Sequence, residues 1–155
     1  MKNRLIQTLA AAILVFGSLS GAHAADSDQA KIRTLLETYE QVLNAGDVAG
    51  VLKLYAHDGV FMPQHSPSAV GIEAIEGAYT AVFEAIDLNV EFDIVEIAVV
   101  ADDWAFARTN SAGTTTIHAT GGKIAEGNQE LFVFQKTDDG EWKIARYSFS
   151  TTNPR

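Results

Sequence analysis

The hydrophobic period of this chain changes once, near residue 87, and that change restricts the fold more than any other feature. Up to that point apolar residues recur at helical spacing. The first stripe is Ile32, Leu35, Leu36, Tyr39, Val42 and Leu43, which predicts an amphipathic helix. Asp26-Ser27-Asp28 supplies residues able to cap its start, and Asn44-Ala45-Gly46 supplies a stop. Asp47 can cap a shorter second helix with Val51, Leu52 and Tyr55 on one face. His57-Asp58-Gly59 has turn composition, Val60 to Met62 reads as a short strand, and Pro63 to Ser68 as a loop. A third helix, from Gly71 to about Ala85, is marked by Ile72, Ile75, Tyr79, Val82, Phe83 and Ile86.

From Leu88 the period is two. Leu88, Val90, Phe92 and Ile94 alternate with Asn89, Glu91 and Asp93, as in a half-buried strand. Val95, Ile97 and Val99 then continue one residue out of step, which predicts a β-bulge at Ile94-Val95 that bends a long strand. Asp102-Asp103, Gly121-Gly122 and Asp138-Asp139-Gly140 are turn sites leading into strands over Trp104–Ala119, Ile124–Lys136 and Trp142–Thr151. Helices followed by a meander of long strands predict an α+β domain: three N-terminal helices on one face of a strongly curved, mainly antiparallel sheet.

Residues 1–24 have leader character. Lys2 and Arg4 precede an apolar centre from Leu9 to Phe16, and small residues end at Ala22-His23-Ala24, so a secretory signal peptide cut after Ala24 is expected. Its apolar centre falls well short of the roughly 20 residues that span a bilayer, so no membrane insertion is expected. Of 11 basic and 20 acidic residues, the cut removes two basic ones, leaving 9 against 20 and a formal charge of −11 on residues 25–155. Such a surface repels nucleic acid and anionic lipid. The length suits a single domain in a periplasmic or secreted protein, and the absence of cysteine excludes disulfides, thiol nucleophiles and thiolate ligands.

Several residues have chemistry to offer, each with an ordinary alternative. Tyr39 lies on the first helix's apolar stripe, as a core tyrosine or as a donor to a ligand oxygen. Glu130 shares a strand face with Phe132 and Phe134. It is either a carboxyl whose pKa rises on burial or the partner of Arg146, which a hairpin centred on Asp139 would place diagonally from it. Arg108 clamps a ligand carboxylate or pairs across strands with Glu96. His65, between Pro63 and Pro67, is a solvated loop residue or an acid or base over a cavity mouth. His57, His65 and His118 show no close metal-ligand spacing, so no metal site is expected. No nucleophile elbow, phosphate loop or dinucleotide fingerprint occurs.

The ordered series Tyr39-Glu-Gln-Val-Leu-Asn-Ala-Gly-Asp47, Tyr55-Ala-His-Asp-Gly59, Gly71-Ile-Glu-Ala-Ile75 and Asp139-Gly-Glu-Trp-Lys-Ile144 resembles the SnoaL-like, ketosteroid isomerase-like and nuclear transport factor two-like superfamily. The resemblance covers nearly all of residues 25–155. It implies a cone-shaped, cystatin-like α+β fold around a pocket for a small, largely apolar molecule. That fold hosts isomerases, dehydratases and noncatalytic binding modules. No metal or organic cofactor is implied, and a homodimer through the sheet face is. Tyr39 falls on the isomerases' oxyanion tyrosine and Glu130 on their oxyanion-hole aspartic acid, a pairing the isomerases use to hold a carbonyl oxygen. Their base position falls on Pro63, beside Met62, and neither can take a proton, so a loop residue such as His65 would have to substitute. The candidate walls are Tyr39, Tyr55, Phe61, Phe83, Trp104, Phe106, Phe132 and Phe134, with Arg108, Glu130 and Arg146 as the polar groups.

Overall fold

The computed structural model describes residues 19–153, with side-chain surroundings from residue 25. Three helices and six strands follow in the order α1 (Leu19–Asn44), α2 (Val48–Leu54), β1 (Tyr55–Met62), β2 (Ala69–Val70), α3 (Ile72–Ala85), β3 (Ile86–Val99), β4 (Trp104–Ile117), β5 (Gly122–Lys136) and β6 (Trp142–Thr151). The strands form one mixed sheet in the order β2-β1-β6-β5-β4-β3. The α+β class and the long antiparallel strands agree with expectation. The helices do not all precede the sheet, however, because β1 and β2 separate α2 from α3. His57-Asp58-Gly59 lies within the bounds of β1, which runs parallel to β6, and occupies the irregularity between Tyr55 and Val60.

Helix α1 buries Ile32, Leu35, Leu36, Tyr39 and Leu43, the predicted stripe. It does not start at Asp26-Ser27-Asp28 but runs through them from Leu19. Most of the expected leader lies outside the described residues. Asp28, instead of capping, is buried and accepts from Lys136 Nζ at 2.5 Å and Trp142 Nε1 at 3.1 Å. Burial alone would lift its carboxyl, but these two donors outweigh burial and hold it below the usual carboxylate value. The far end of α1 clasps β3: Asn44 exchanges two hydrogen bonds with the Val90 backbone (2.8 and 2.9 Å), and Glu40 accepts from the Phe92 N–H at 2.7 Å. These contacts occupy backbone groups that an edge strand would otherwise expose. Gly46, at φ 64, then lets the chain reverse into α2, which Asp47 caps through the Gly50 N–H at 2.9 Å.

Two bulges decide which side chains face inward. The first sits at Val95, between the pairs Ile94↔Thr109 and Glu96↔Arg108, where the apolar series slips phase. The second is at Ala145. Lys136↔Trp142, Gln135↔Lys143 and Phe134↔Ile144 follow the hairpin centred on Asp139, and then Val133 pairs with Arg146 and Phe132 with Tyr147. One extra residue moves Arg146 to the outer face and brings Tyr147 inside. On β4 the sheet is pressed so closely that a Cβ on Gly113 would lie 2.1 Å from the Asn89 carbonyl oxygen on β3, a position only glycine fills. The core packs between the helices and the concave side of this sheet, centred on Leu36, Tyr39, Ile75, Tyr79, Phe132 and Ile144. No helix among the described residues is long and apolar enough to cross a membrane.

Candidate functional site

A cavity of about 210 Å³ opens between α1, α3 and the concave sheet face. Its apolar walls include Leu43, Phe61, Pro63, Val82, Ile86, Leu88, Val90, Phe92 and Phe149. Its polar groups fall into two sets. On the helix side, the Tyr39 and Tyr79 hydroxyls are 2.6 Å apart, and Tyr79 is 3.0 Å from the hydroxyl of Tyr55. On the sheet side, Ser111, Glu126, Asn128 and Glu130 line the wall, and Tyr147 stands beside them.

The tyrosine set follows from two helical periods and a strand end. Tyr39 lies on the buried stripe of α1, Tyr79 on that of α3, and Tyr55 begins β1. All three are almost fully enclosed, at 1, 1 and 4 % exposure. Burial, the main cause, pushes each phenol well above its ordinary value, so all three remain protonated donors. Three hydroxyls in series carry three protons. If Tyr55 donates to Tyr79 and Tyr79 to Tyr39, the Tyr39 proton goes to Tyr147, its other hydrogen-bond partner, and a ligand oxygen receives it by displacing that acceptor.

Glu130 is 6 % exposed and sits on the inward phase of β5 with Phe132 and Phe134. Its Oε1 accepts from Ser111 Oγ at 2.5 Å, and Thr109 Oγ1 donates to its Oε2. Both donors are neutral hydroxyls from the inward phase of β4. Burial is the largest influence and raises the carboxyl above its ordinary value of 4.5; the two hydroxyls pull it down, and Glu126 adds to the rise. The alternative of an Arg146 partner is corrected by the Ala145 bulge. Arg146 lies outside, its Nη1 donating to the Asp58 carbonyl at 3.2 Å.

Of the expected walls, the cavity brings together Tyr39, Phe61 and Glu130. Tyr55 reaches it only through Tyr79. Phe132 and Phe134 are fully buried beneath it, and Phe83 lies behind, its ring tilted against that of Tyr79 at 5.8 Å. Trp104, Phe106 and Arg108 occupy the outward phase of β4, away from the cavity. The inward phase there belongs to Ala105 and Ala107, small because Phe134 and Phe132 fill the space directly beside them. Arg108 donates to Glu96 at 2.7 Å, the expected cross-strand pair. His65, at φ 62 in the loop after β1, lies next to Gln64 and does not line the cavity. Among the described residues no group of three potential metal ligands occurs.

Sequence reasoning read Tyr79 only as part of a stripe and passed over Tyr147, Ser111, Glu126 and Asn128. The signals were there: Tyr147 and Phe149 continue β6 one residue out of phase with Trp142 and Ile144. Likewise, Ser111, Glu126 and Asn128 are polar residues on strand phases that face inward.

A helical cover, a bent mixed sheet and an enclosed cavity with few polar groups define a cone-shaped α+β domain of the nuclear transport factor two-like kind. The chain belongs to the SnoaL-like domain family, whose pattern matches residues 36–147. It is similar to a ketosteroid isomerase-like protein from Erwinia carotovora atroseptica SCRI1043, with 34% identity, 83% of this chain and 99% of that one covered, and a TM-score of 0.81. The fold also matches a nuclear transport factor 2-like protein from Salmonella enterica serovar Typhimurium LT2 (15% identity, 83% and 94% covered, TM-score 0.74). A third match is a putative scytalone dehydratase from Novosphingobium aromaticivorans DSM 12444 (16% identity, 85% and 89% covered, TM-score 0.75). None of the curated proteins compared matches the chain.

Proposed function

We propose that this domain binds a small, largely apolar, carbonyl-containing molecule in the cavity and moves a proton on it, as an isomerase or dehydratase does. The observation that carries the reading is Glu130: a carboxyl enclosed beside aromatic rings, satisfied only by hydroxyls and biased by burial toward its neutral form. An enclosed carboxyl whose titration burial shifts upward and a relayed tyrosine, both on one small cavity, are groups suited to an oxygen that gains negative charge. The 34% identity to the Erwinia protein, itself called ketosteroid isomerase-like, supports the same chemistry. Binding without turnover is the second reading, favoured by Pro63 on the cavity wall where those isomerases place their base.

A test is the conversion of a small β,γ-unsaturated ketone, 3-cyclohexenone, to its conjugated isomer, followed by absorbance. Turnover is expected above the buffer rate. Tyr39→Phe is expected to lower it by about 10²-fold, the loss typical of one oxyanion donor. Unchanged turnover in that variant removes Tyr39 from the role. A ketone that binds without being converted leaves the binding reading.

We also propose that the chain is exported, is cut after Ala24, and pairs through the outer sheet face. The support is leader-like composition at residues 1–24 and the exposure of Val95 (45%) and Leu131 (47%) on that face. Native mass spectrometry of protein purified from the periplasm is expected to read twice the mass of residues 25–155. A single uncut chain contradicts both.

A further inference from the structure

We propose that Glu126 is the base of this site, the group that removes the proton from the ligand carbon and gives it back. The inference rests on the proton-transfer reading above and supplies the step for which Pro63 has no chemistry.

Among the described residues, the cavity wall carries two carboxyl groups, Glu126 and Glu130, and no histidine, lysine or arginine. Its other titratable groups are Tyr39 from α1, Tyr79 from α3 and Tyr147 from β6, all pushed well above the usual phenol value by burial and therefore poor proton acceptors. The two carboxyls have different surroundings. Glu130 is enclosed beneath the aromatic cluster. Glu126 is only half-buried, and its two oxygens accept from Thr115 Oγ1 at 2.8 Å and Asn128 Nδ2 at 2.9 Å. A carboxylate held by two neutral donors is oriented and retains lone pairs for a proton. Two acids whose surroundings differ in this way suit opposite roles, one donating to the ligand oxygen and the other accepting from its carbon.

Their separation also suits the step. Glu130 Oε1 to Ser111 Oγ is 2.5 Å, Ser111 Oγ to Asn128 Nδ2 is 3.4 Å, and Asn128 Nδ2 to Glu126 Oε1 is 2.9 Å. These links set the two carboxyl oxygens at most about 9 Å apart. A ligand whose carbonyl oxygen accepts from Glu130 and whose α-carbon faces the base spans roughly 8 Å from acid to base. Glu126 takes the α-proton. The C–H electron pair becomes the new α-carbon double bond, and the carbonyl π pair moves to the oxygen held by Tyr39 and Glu130. The same proton then returns from Glu126 to the γ-carbon, bonded there by the β,γ π pair, while the π pair formed at the α-carbon moves between the α- and β-carbons and the oxygen pair re-forms the carbonyl. Atoms and electrons balance without a co-reactant.

The experiment is exchange of the α-protons of cyclohexanone in D2O, followed by proton NMR, for the wild type, Glu126→Gln and Glu126→Asp. Wild-type exchange above the buffer rate is expected, with an acidic limb in its pH profile. Glu126→Gln is expected to lose at least 10²-fold and the acidic limb with it, since a positioned general base supplies about that much. Glu126→Asp is expected to keep the limb at a reduced rate. Should Glu126→Gln fail to fold by circular dichroism, the aspartate variant decides, and an unreduced rate there overturns the assignment. Wild-type exchange that survives in Glu126→Gln overturns Glu126 alone and leaves the proton-transfer reading standing. Absence of wild-type exchange overturns both.

Discussion

Replacing Phe132 with alanine is expected to destabilise the domain by about 3–5 kcal/mol, the range for emptying a fully buried phenylalanine site. The residue has no measurable exposure. Its ring stacks on Tyr147 at 4.2 Å between centroids, lies 6.0 Å from Phe134, and meets Tyr39 edge-on at 5.5 Å. Each neighbour comes from a different element or position, so no single shift closes the hole. For a domain of this size the loss corresponds to a fall in melting temperature of roughly 10–20 °C. Because Tyr39 rests on this ring, residual folded protein should also bind cavity ligands more weakly. A melting temperature within about 3 °C of wild type contradicts the packing described.

Glu130→Gln is expected to reduce turnover on 3-cyclohexenone by about 10²–10³-fold, as for removal of an oxyanion donor. Its effect on stability should depend on pH, and the sign follows from the direction of its titration. The folded state holds the acid above its ordinary value of 4.5, so folding favours the protonated form. The stabilisation is complete below the unfolded value and is lost as pH rises through the folded one. Wild type should therefore lose stability relative to Glu130→Gln between acid and neutral pH. Urea titrations at pH 4 and pH 7.5 measure this directly. A difference between the two proteins that stays constant or moves the other way means that Glu130 is ionised in the folded protein.

The fold was largely legible because periodicity is a local property. The stripes of α1 and α3, the alternation of β3 and the bulge at Val95 were all written in neighbouring residues. What failed depended on distant partners. His57-Asp58-Gly59 has turn composition, yet it falls inside β1, at the irregularity between Tyr55 and Val60, whose partners on β6 lie some 90 residues later. Trp104 and Phe106 are the large apolar residues of β4, so a rule that places bulk inside sends them to the wrong face. The inward phase is set by what stands beside it, and Phe132 and Phe134 leave room there only for alanine. The site shows the same division. Tyr39 and Glu130 were found by type and position, whereas the hydroxyl relay needed three elements to converge. The Arg146 partner was misplaced because a single bulged alanine reverses the strand's facing.

The position of β6 carries a further consequence. This strand, the last in the chain, lies inside the sheet between β1 and β5. While the polypeptide is being made, α1 can already engage β3, but β1 and β2 cannot join the β3-β4-β5 sheet until residues 142–151 have emerged. Assembly must then wait for a long loop to close, which is slow compared with local helix formation. The cavity, with Tyr147 from β6 in its wall, is thus among the last features to form.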